Sequence, residues 1–441
     1  MNQSQQDSLS PCVLDRVEVK YDELPDLRDE LIIKERTYRQ QYANMYYVRL
    51  MQLRQTVFEI ARARWENSMD DGDKPYHVDK ILDVKPGRRG FVITSPRDKY
   101  CSEEDVINIE DESGRIRLVG DIIKEWVWVT GLVVAILGRD NSVGAFEVMD
   151  VCLPGLPPQL PSKLMETDDS GPRYVALLSG MNLDKDSSPS LKSQMLIDYL
   201  TGELGTITDQ TFSSKVSRLI IAGNVLKEGQ IIEDTNRTRK SGNSSGYDNE
   251  PIQEFDNILE TLCSTLSVDL MPGNSDPANF TLPQQPIQKN LFPKASKYPT
   301  FSNVTNPYWG DVDGTVFLGT SGQTIDDIYK YVHGHNRLEI AEKTLYWRHI
   351  APTAPDTLWC YPFIELDPFV LTRLPHVYFI GNQKEYATSL IEGPDGRKTR
   401  VILLPSFAET GTIVLVNLST LECQPMSFSS DFQIFDHMPT R

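Results

Sequence analysis

Val268-Asp269-Leu270-Met271 runs into Pro272-Gly273-Asn274-Ser275-Asp276. Four residues with the apolar weight of a buried strand end on a glycine turn that carries polar side chains. The same pattern recurs on both sides. Tyr174-Val175-Ala176-Leu177-Leu178 ends at Ser179-Gly180-Met181, and Arg218-Leu219-Ile220-Ile221 ends at Ala222-Gly223-Asn224. Val316-Phe317-Leu318 ends at Gly319-Thr320-Ser321-Gly322, and His376-Val377-Tyr378-Phe379-Ile380 at Gly381-Asn382-Gln383. Between these runs lie helical stripes: Leu191, Met195, Tyr199 and Leu200 in one, Phe255, Ile258, Leu259, Leu262 and Leu266 in another. Val401-Ile402-Leu403-Leu404 and Thr412-Ile413-Val414-Leu415-Val416 read as late strands. Buried strands alternating with one-faced helices define an α/β class, sheets covered by helices. In such folds, polar site residues gather at strand ends.

Two segments interrupt the pattern. Residues 233–250, EDTNRTRKSGNSSGYDNE, are polar and of low complexity and read as a mobile surface insertion. Residues 283–310 hold prolines 283, 286, 293, 299 and 307 among Phe292, Tyr298, Phe301, Tyr308 and Trp309. That composition excludes regular structure; the loop either packs over the fold or presents an interaction surface.

Upstream the pattern is β. Ile81–Val84, Gly90–Thr94, Val106–Ile109, Arg115–Val119 and Phe146–Val151 are short β-prone runs, and Trp126–Leu137 is long enough to bend across a barrel at Gly131. Such a set suits a small Greek-key barrel of OB type. OB barrels bind single strands through basic grooves and stacking aromatics. Here residues 76–154 carry 10 basic and 14 acidic side chains. Trp126 and Trp128, sharing one strand face, therefore read as barrel core or protein interface rather than a base platform. Ahead of the barrel, spacing predicts a helix from Glu35 to Trp65. Tyr42, Tyr46, Leu50, Leu53, Val57 and Ile60 form its apolar face, and Arg39, Arg49, Arg54 and Arg62 a solvated remainder.

The chain of 441 residues exceeds what one core usually holds. Its 44 Lys and Arg against 62 Asp and Glu give a net charge of −18, a poor match for a phosphate backbone. Hydrophobic residues make up 39%, which excludes global disorder. No apolar run is long enough to cross a bilayer, and the N-terminus MNQSQQDSLSPC lacks the basic and apolar regions of a secretory signal. Cysteines 12, 101, 152, 263, 360 and 423 form no C-x-x-C pair. That excludes a zinc ribbon and leaves six free thiols in a reducing compartment as the expectation. Triplets such as Asn279-Phe280-Thr281 carry no weight as glycosylation sites without an export signal.

A two-metal phosphoesterase holds its ions with Asp, His and Asn side chains from several strand ends. Gly273-Asn274-Ser275-Asp276 resembles the G-N-H-[DE] turn of calcineurin-like phosphoesterases. More specifically, six stretches resemble the small (B) subunits of replicative DNA polymerase delta. They are MPGNSDPANFTLPQQP (271–286), LFPKASKYPTF (291–301), TNPYWGD (305–311), FLGTSGQTIDDIYKY (317–331), RHIAPTAPDTLWCYPF (348–363) and PHVYFIGN (375–382). The likeness runs from about residue 35 to the end and is weakest in 233–250. It implies an OB-type β-barrel beside a calcineurin-like phosphoesterase α/β sandwich that has lost its activity. The expected plan is a tail at 1–34, a helical segment at 35–70, the OB domain at 71–154, a linker at 155–172 and the inactive domain at 173–441.

The resemblance implies where ligands have gone. The opening D-x-H is Ser179-Gly180-Met181, the bridging Asp is Asn224, the ligand Asn survives as Asn274, and its neighbouring His is Ser275 beside Asp276. The closing G-H-x-H reads Gly381-Asn382-Gln383-Lys384, so Asn382 and Lys384 replace both imidazoles. The fourth-motif His has no assigned place near Cys360-Tyr361-Pro362. Met181 and the neutral Asn224 offer no charge to offset two divalent cations, and Lys384 would repel them, so neither metal nor cofactor is expected. His333-Gly334-His335 follows a helical stretch and reads as a surface loop; Asp311 and Asp313 read as turn residues, and Asp326 and Asp327 as first-turn helix residues. No P-loop, nucleophile elbow or H-E-x-x-H helix is present.

The family likeness implies a nuclear, non-catalytic scaffold with little direct DNA contact and no membrane contact. Its implied partners are the C-terminal metal-binding region of the polymerase delta catalytic subunit and a third, clamp-contacting subunit, with sharing by polymerase zeta. Two other readings stand beside it: a metal-dependent phosphoesterase or 3'-5' exonuclease with a rebuilt ligand set, and a single-strand binder acting through the barrel.

Overall fold

The computed structural model describes residues 15–34, 42–65, 76–77, 90–97, 106–111, 114–141, 144–160, 171–184, 190–227, 249–332, 336–393 and 395–429, with 76–77, 90–97 and 249 as backbone only. The stretch 81–84, His333 and His335, and nearly all of the 233–250 insertion lie outside the described residues.

Two six-stranded sheets stand face to face among the described residues. In the first, Tyr174–Leu178, Val216–Ala222, Ser267–Met271 and Phe301–Asn303 run parallel, and Thr412–Asn417 and Cys423–Ser427 extend it antiparallel. In the second, Thr315–Thr320, Val377–Gln383 and Lys398–Pro405 run parallel, flanked antiparallel by Tyr308–Val312 and Ala387–Glu392. Parallel strands covered on both faces need apolar side chains throughout, which explains the continuous runs in the sequence. Leu177, Ile220 and Met271 meet Phe317, Phe379 and Ile402 between the sheets. Helices Leu191–Thr201 and Asn249–Cys263 cover the first sheet's outer face, and Gln323–Tyr329 and Arg337–Tyr346 the second's. Ser190, Thr206 and Asn336 cap helix starts with side-chain oxygens, as sequence chemistry favours.

The β-rich region closes into a barrel. Gly90–Arg97 pairs with Asn108–Glu110, then Arg115–Val119, Ala145–Cys152 and Val134–Asp140, which returns to Gly90–Arg97. The Trp126–Leu137 expectation fails in its first half. Asp121–Glu125 is a 3-10 turn, Trp126–Val133 is irregular, and the strand starts at Val134. Trp126 and Trp128 share no strand; both are half-buried against the core, with Trp128 Nε1 donating to Ile123 O at 2.8 Å.

The helix spans Ala43–Trp65, and residues 35–41 lie outside the description. Its buried face is Met45, Tyr46, Val48, Arg49, Leu53, Val57, Ala61 and Trp65, whereas Tyr42 is 46% exposed. Arg49, expected on a solvated face, is fully buried.

The first residues expected as linker are docked. Arg348 donates to Gly155 O and Leu156 O, Arg397 to Leu156 O and Pro157 O, and Gln159 Nε2 to Pro375 O and Lys398 O. The stretch expected as a tail contains, from Asp15, an ordered strap. Arg16 donates into the carbonyls of Leu200, Ser213 and Val216, and Tyr21–Asp22 adds an edge strand to Tyr308–Val312. Tyr21 stacks 3.6 Å from the Arg218 guanidinium, which pairs with buried Asp269 at 2.5 Å; Tyr308 Oη donates to the same carboxylate at 3.1 Å.

The 283–310 loop packs over the fold and, against expectation, holds regular pieces. They are 3-10 turns at Lys289–Leu291 and Ala295–Lys297, the strand Phe301–Asn303 and the start of Tyr308–Val312. Burial of Ile287, Phe292, Phe301 and Tyr308 draws it down, at about 1.5–3 kcal/mol for each large apolar side chain. Cys152, Cys263, Cys360 and Cys423 are free thiols.

Candidate functional site

Six strand ends converge on one edge of the sandwich: Leu178, Ala222, Met271, Thr320 and Pro405 each lead into the turns of interest, and Val377–Gln383 becomes irregular there after Ile380. The turns need unusual backbones. Asn182, Asn224 and Asn382 have φ of 48°, 53° and 55°, the left-handed region that Asn tolerates best after Gly. Gly223 and Gly273 sit back to back; a Cβ on Gly273 would stand 2.2 Å from Asn224 Oδ1, and one on Gly223 2.6 Å from Gly273 Cα. Close approach fixes Gly273, and close approach together with a φ of 73° fixes Gly223.

The side chains consume one another's hydrogen-bonding capacity. Asn382 Nδ2 donates to Ala222 O at 3.1 Å, Ser321 O at 2.9 Å and Ser321 Oγ at 3.2 Å. Ser179 Oγ, fully buried, accepts from Asn382 N at 3.0 Å and donates to Pro405 O at 3.1 Å. Ser406 Oγ donates to Gly180 O at 3.1 Å and accepts from Asn182 Nδ2 at 3.2 Å. Asn224 Oδ1 accepts from Ser275 N, and Ser275 Oγ donates to Leu226 O at 2.5 Å. Gln284 Nε2 donates to Gly273 O at 3.0 Å, and its Oε1 accepts from Asn306 and Gln323, so the proline-rich loop buttresses the same edge.

One carboxylate lies in this set, and it faces backbone. Asp276 accepts from Val225 N at 2.9 Å, Leu226 N at 3.1 Å and Gly273 N at 2.8 Å, tying two turns together. Burial pushes its carboxyl up to about 6, against the opposing pull of these amides. Among the sequence-derived candidates, Ser179, Asn224, Ser275, Asp276 and Asn382 are brought together. Met181 is buried in the core under helix Leu191–Thr201 rather than presented at the site. Asn274 and Lys384 are exposed.

Ser321, Ser406 and Gln383 belong to the site and were missed. Each directly follows a buried strand or ends one, and that position was the available signal. Gln383 Oε1 accepts from Arg337 Nη1 at 2.9 Å. Asp327, expected at a helix's first turn, is buried and takes Thr357 Oγ1 at 2.6 Å as well as Lys330. Asp311 accepts from Gly314 N at 2.6 Å in the turn expected there.

Apart from Asp276, which is spent on backbone amides, the strand-end side chains that bond one another are uncharged amides and hydroxyls. The arrangement presents no general base beside a nucleophile. Among the described residues no group of three or more His, Cys, Asp or Glu side chains could hold a metal ion. The donor set therefore does not fit a two-metal centre. No helix is long and apolar enough to cross a membrane among the described residues.

Comparison with known proteins places this geometry in a lineage. Residues 175–388 match the B-subunit family of DNA polymerases alpha and epsilon, and residues 41–95 and 91–151 match the OB-fold domain family of DNA polymerase delta subunits. The DNA polymerase delta small subunit of Arabidopsis thaliana is 38% identical over 94% of this chain and 97% of its own length. DNA polymerase delta subunit 2 of Drosophila melanogaster is 34% identical, covering 94% and 99%. The small subunit of Saccharomyces cerevisiae is 34% identical, covering 90% and 91%. With near-complete coverage on both sides and an OB-fold barrel preceding the sandwich, the chain belongs to the family of DNA polymerase delta small subunits.

Proposed function

We propose that this chain is a non-catalytic, nuclear accessory subunit of DNA polymerase delta. It acts as a scaffold between the C-terminal metal-binding region of the catalytic subunit and a third, clamp-contacting subunit, and polymerase zeta shares it. The observation that carries the reading is the mutual satisfaction of the strand-end side chains. Asn382 bonds to Ser179 and Ser321, Ser406 bonds to Asn182, and Asn382, Ser179 and Ser406 also bond backbone carbonyls, where a phosphoesterase would hold cations. Neutral amides and hydroxyls cannot offset two divalent charges. The phosphoesterase-like ligands are, on this reading, lost, and the fold is kept for assembly. A net charge of −18 further disfavours DNA as the main partner.

Two measurements on purified full-length chain test this. Co-expressed with the polymerase delta catalytic subunit, it is expected to co-elute stoichiometrically, and titration with manganese is expected to give no saturable heat. Separate elution of the two chains would sink the scaffold. Stoichiometric manganese binding, with nuclease activity lost in Asn274→Ala, would establish the metal-dependent phosphoesterase or exonuclease instead.

A further inference from the structure

Arg49 stands mid-helix, has no exposed side-chain surface, and reaches three separate parts of the chain. Its Nε donates to Asp367 Oδ2 at 2.7 Å. Nη1 donates to Gly131 O at 3.1 Å and Pro352 O at 2.9 Å, and Nη2 to Ala354 O at 2.7 Å. Gly131 belongs to the barrel; residues 352–367 belong to the sandwich side. The carboxylate is itself held, accepting from His349 Nε2 at 3.0 Å and Phe369 N at 3.0 Å, while Asp367 N donates to Gln52 Oε1 of the helix at 2.8 Å.

The barrel is shaped to admit this cation. Gly131 has φ of +83°, and a Cβ there would stand 2.4 Å from Arg49 Nη1 and 2.1 Å from Pro352 O. Only glycine allows the approach. A planar guanidinium with five donors can serve acceptors in several directions at once; an ammonium has three donors at a single point. The helix has a further hold on the barrel, because Leu53, Val57, Ala61 and Trp65 pack with Val133, Ala135, Leu137 and Cys152 in a cluster that also takes in Val370. Trp65 Nε1 also donates to Asp150 at 2.9 Å. Losing Arg49 should therefore leave helix and barrel joined while removing the polar link that fixes how they seat on the sandwich, with which they also share an apolar core.

We infer that Arg49, with Gly131 and Asp367, is a joint that locks the helix–barrel unit onto the sandwich in one orientation. It acts as a positioning residue. A partner contacting both domains meets a composite surface that is already formed and does not have to order it on binding. This goes beyond the scaffold reading, and stands or falls separately from it, because the test needs no partner.

The full-length chain is compared with Arg49→Lys, Gly131→Ala and the double variant Arg49→Met/Asp367→Leu, by hydrogen exchange, small-angle scattering and thermal unfolding. In Arg49→Lys and Gly131→Ala, amides of Ala43–Trp65 and Val134–Asp140 are expected to exchange about tenfold faster or more, while Tyr174–Leu178 keeps its protection. The scattering profile should broaden to longer distances. The double variant removes the charge together with its partner, so its unfolding midpoint should recover in part, short of the carbonyls left without Arg49. Its scattering should stay broadened, because the links to Gly131, Pro352 and Ala354 remain absent. A merely structural ion pair would instead recover both. Unchanged exchange and scattering in Arg49→Lys and Gly131→Ala, or full recovery of scattering in the double variant, overturns the joint. Should Arg49→Lys fail to fold, the double variant alone decides.

Discussion

Asn382 offers the sharpest test of the strand-end network. Its amide is oriented by three acceptors, and its backbone sits at φ 55°. In Asn382→Ala, the left-handed conformation costs about 1 kcal/mol or more. Loss of the donations to Ala222 O and Ser321 O adds about 0.5–1.5 kcal/mol for each bond. The sum is about 2–4 kcal/mol. Asn382→Gly loses the same bonds but not the backbone preference, so it should be the more stable of the two by roughly 1 kcal/mol. Asn382→Asp keeps shape and backbone tolerance but turns a carboxylate toward three oxygens. It should destabilise at least as much as Ala at neutral pH and recover partly on acidification, when a protonated carboxyl can donate. Urea unfolding of the four proteins, followed by tryptophan fluorescence, reads these differences. The reasoning is refuted if Asn382→Asp matches the parent chain, or if manganese stabilises Asn382→Asp by several kcal/mol. Either result would mean that the position tolerates, or is built for, an anionic ligand.

Buried His349 should make stability fall with acid. Burial, and then repulsion by Arg49, hold its imidazole down at about 4, against the attraction of Asp367. An unfolded chain takes up that proton near 6.5, so the unfolded state binds more protons between these values, and about 3 kcal/mol is lost as pH falls through the window. Asp276, pushed up to about 6, acts in the opposite direction over part of the same range. The effect is therefore read as the difference between the parent and His349→Gln in urea unfolding from pH 7.5 to 4.5; parallel pH profiles would rule it out. Arg218→Met strands Asp269, which is fully buried, and should cost about 3–5 kcal/mol, most of it restored by a second substitution Asp269→Leu. Because Tyr21 stacks on Arg218, hydrogen exchange of the 15–22 strap should accelerate in the single variant, and an unchanged strap would contradict the anchoring.

Much of the sandwich could be read from sequence because its rules are local. A parallel strand covered on both faces must be apolar throughout, and a strand end that turns sharply selects Gly or Asn for positive φ. That made Tyr174–Leu178, Val216–Ala222 and Ser267–Met271 visible, along with the turns at Gly223-Asn224 and Gly381-Asn382. What was hidden depends on distant partners. Arg49 looks like any surface arginine in helical periodicity; its acceptors lie 82 and 318 residues away at Gly131 and Asp367. The same contact explains the misread strand, since the chain at Gly131 turns to meet Arg49 and Pro352 instead of continuing an extended apolar run. The strap failed to register because two residues, Tyr21 and Asp22, are too few to show a period. Among site residues, the identities were legible but their bonding was not. Nothing local says that Asn382 addresses Ser321, 61 residues away.

Buried charge is treated consistently across the molecule, and that consistency bears on why amides and hydroxyls, with the single carboxylate of Asp276, occupy the strand ends. Removing an ion from water costs several kcal/mol unless a matched partner and further hydrogen bonds compensate it. Arg49 has Asp367 and three carbonyls, Arg218 has Asp269, and Asp276 has three amides. A carboxylate and imidazole cluster at the converging strand ends would call for bound cations to compensate it. Without ions, its members would repel each other in a poorly solvated crease. Serine and asparagine avoid that penalty because each brings both a donor and an acceptor and can be satisfied by a neighbour or a carbonyl. On the scaffold reading, exchanging ligands for amides and hydroxyls does more than silence chemistry. It lets six strand ends close on one another permanently, so that the edge no longer depends on metal and can serve as a fixed support for the loop that Gln284 and Asn306 lay across it.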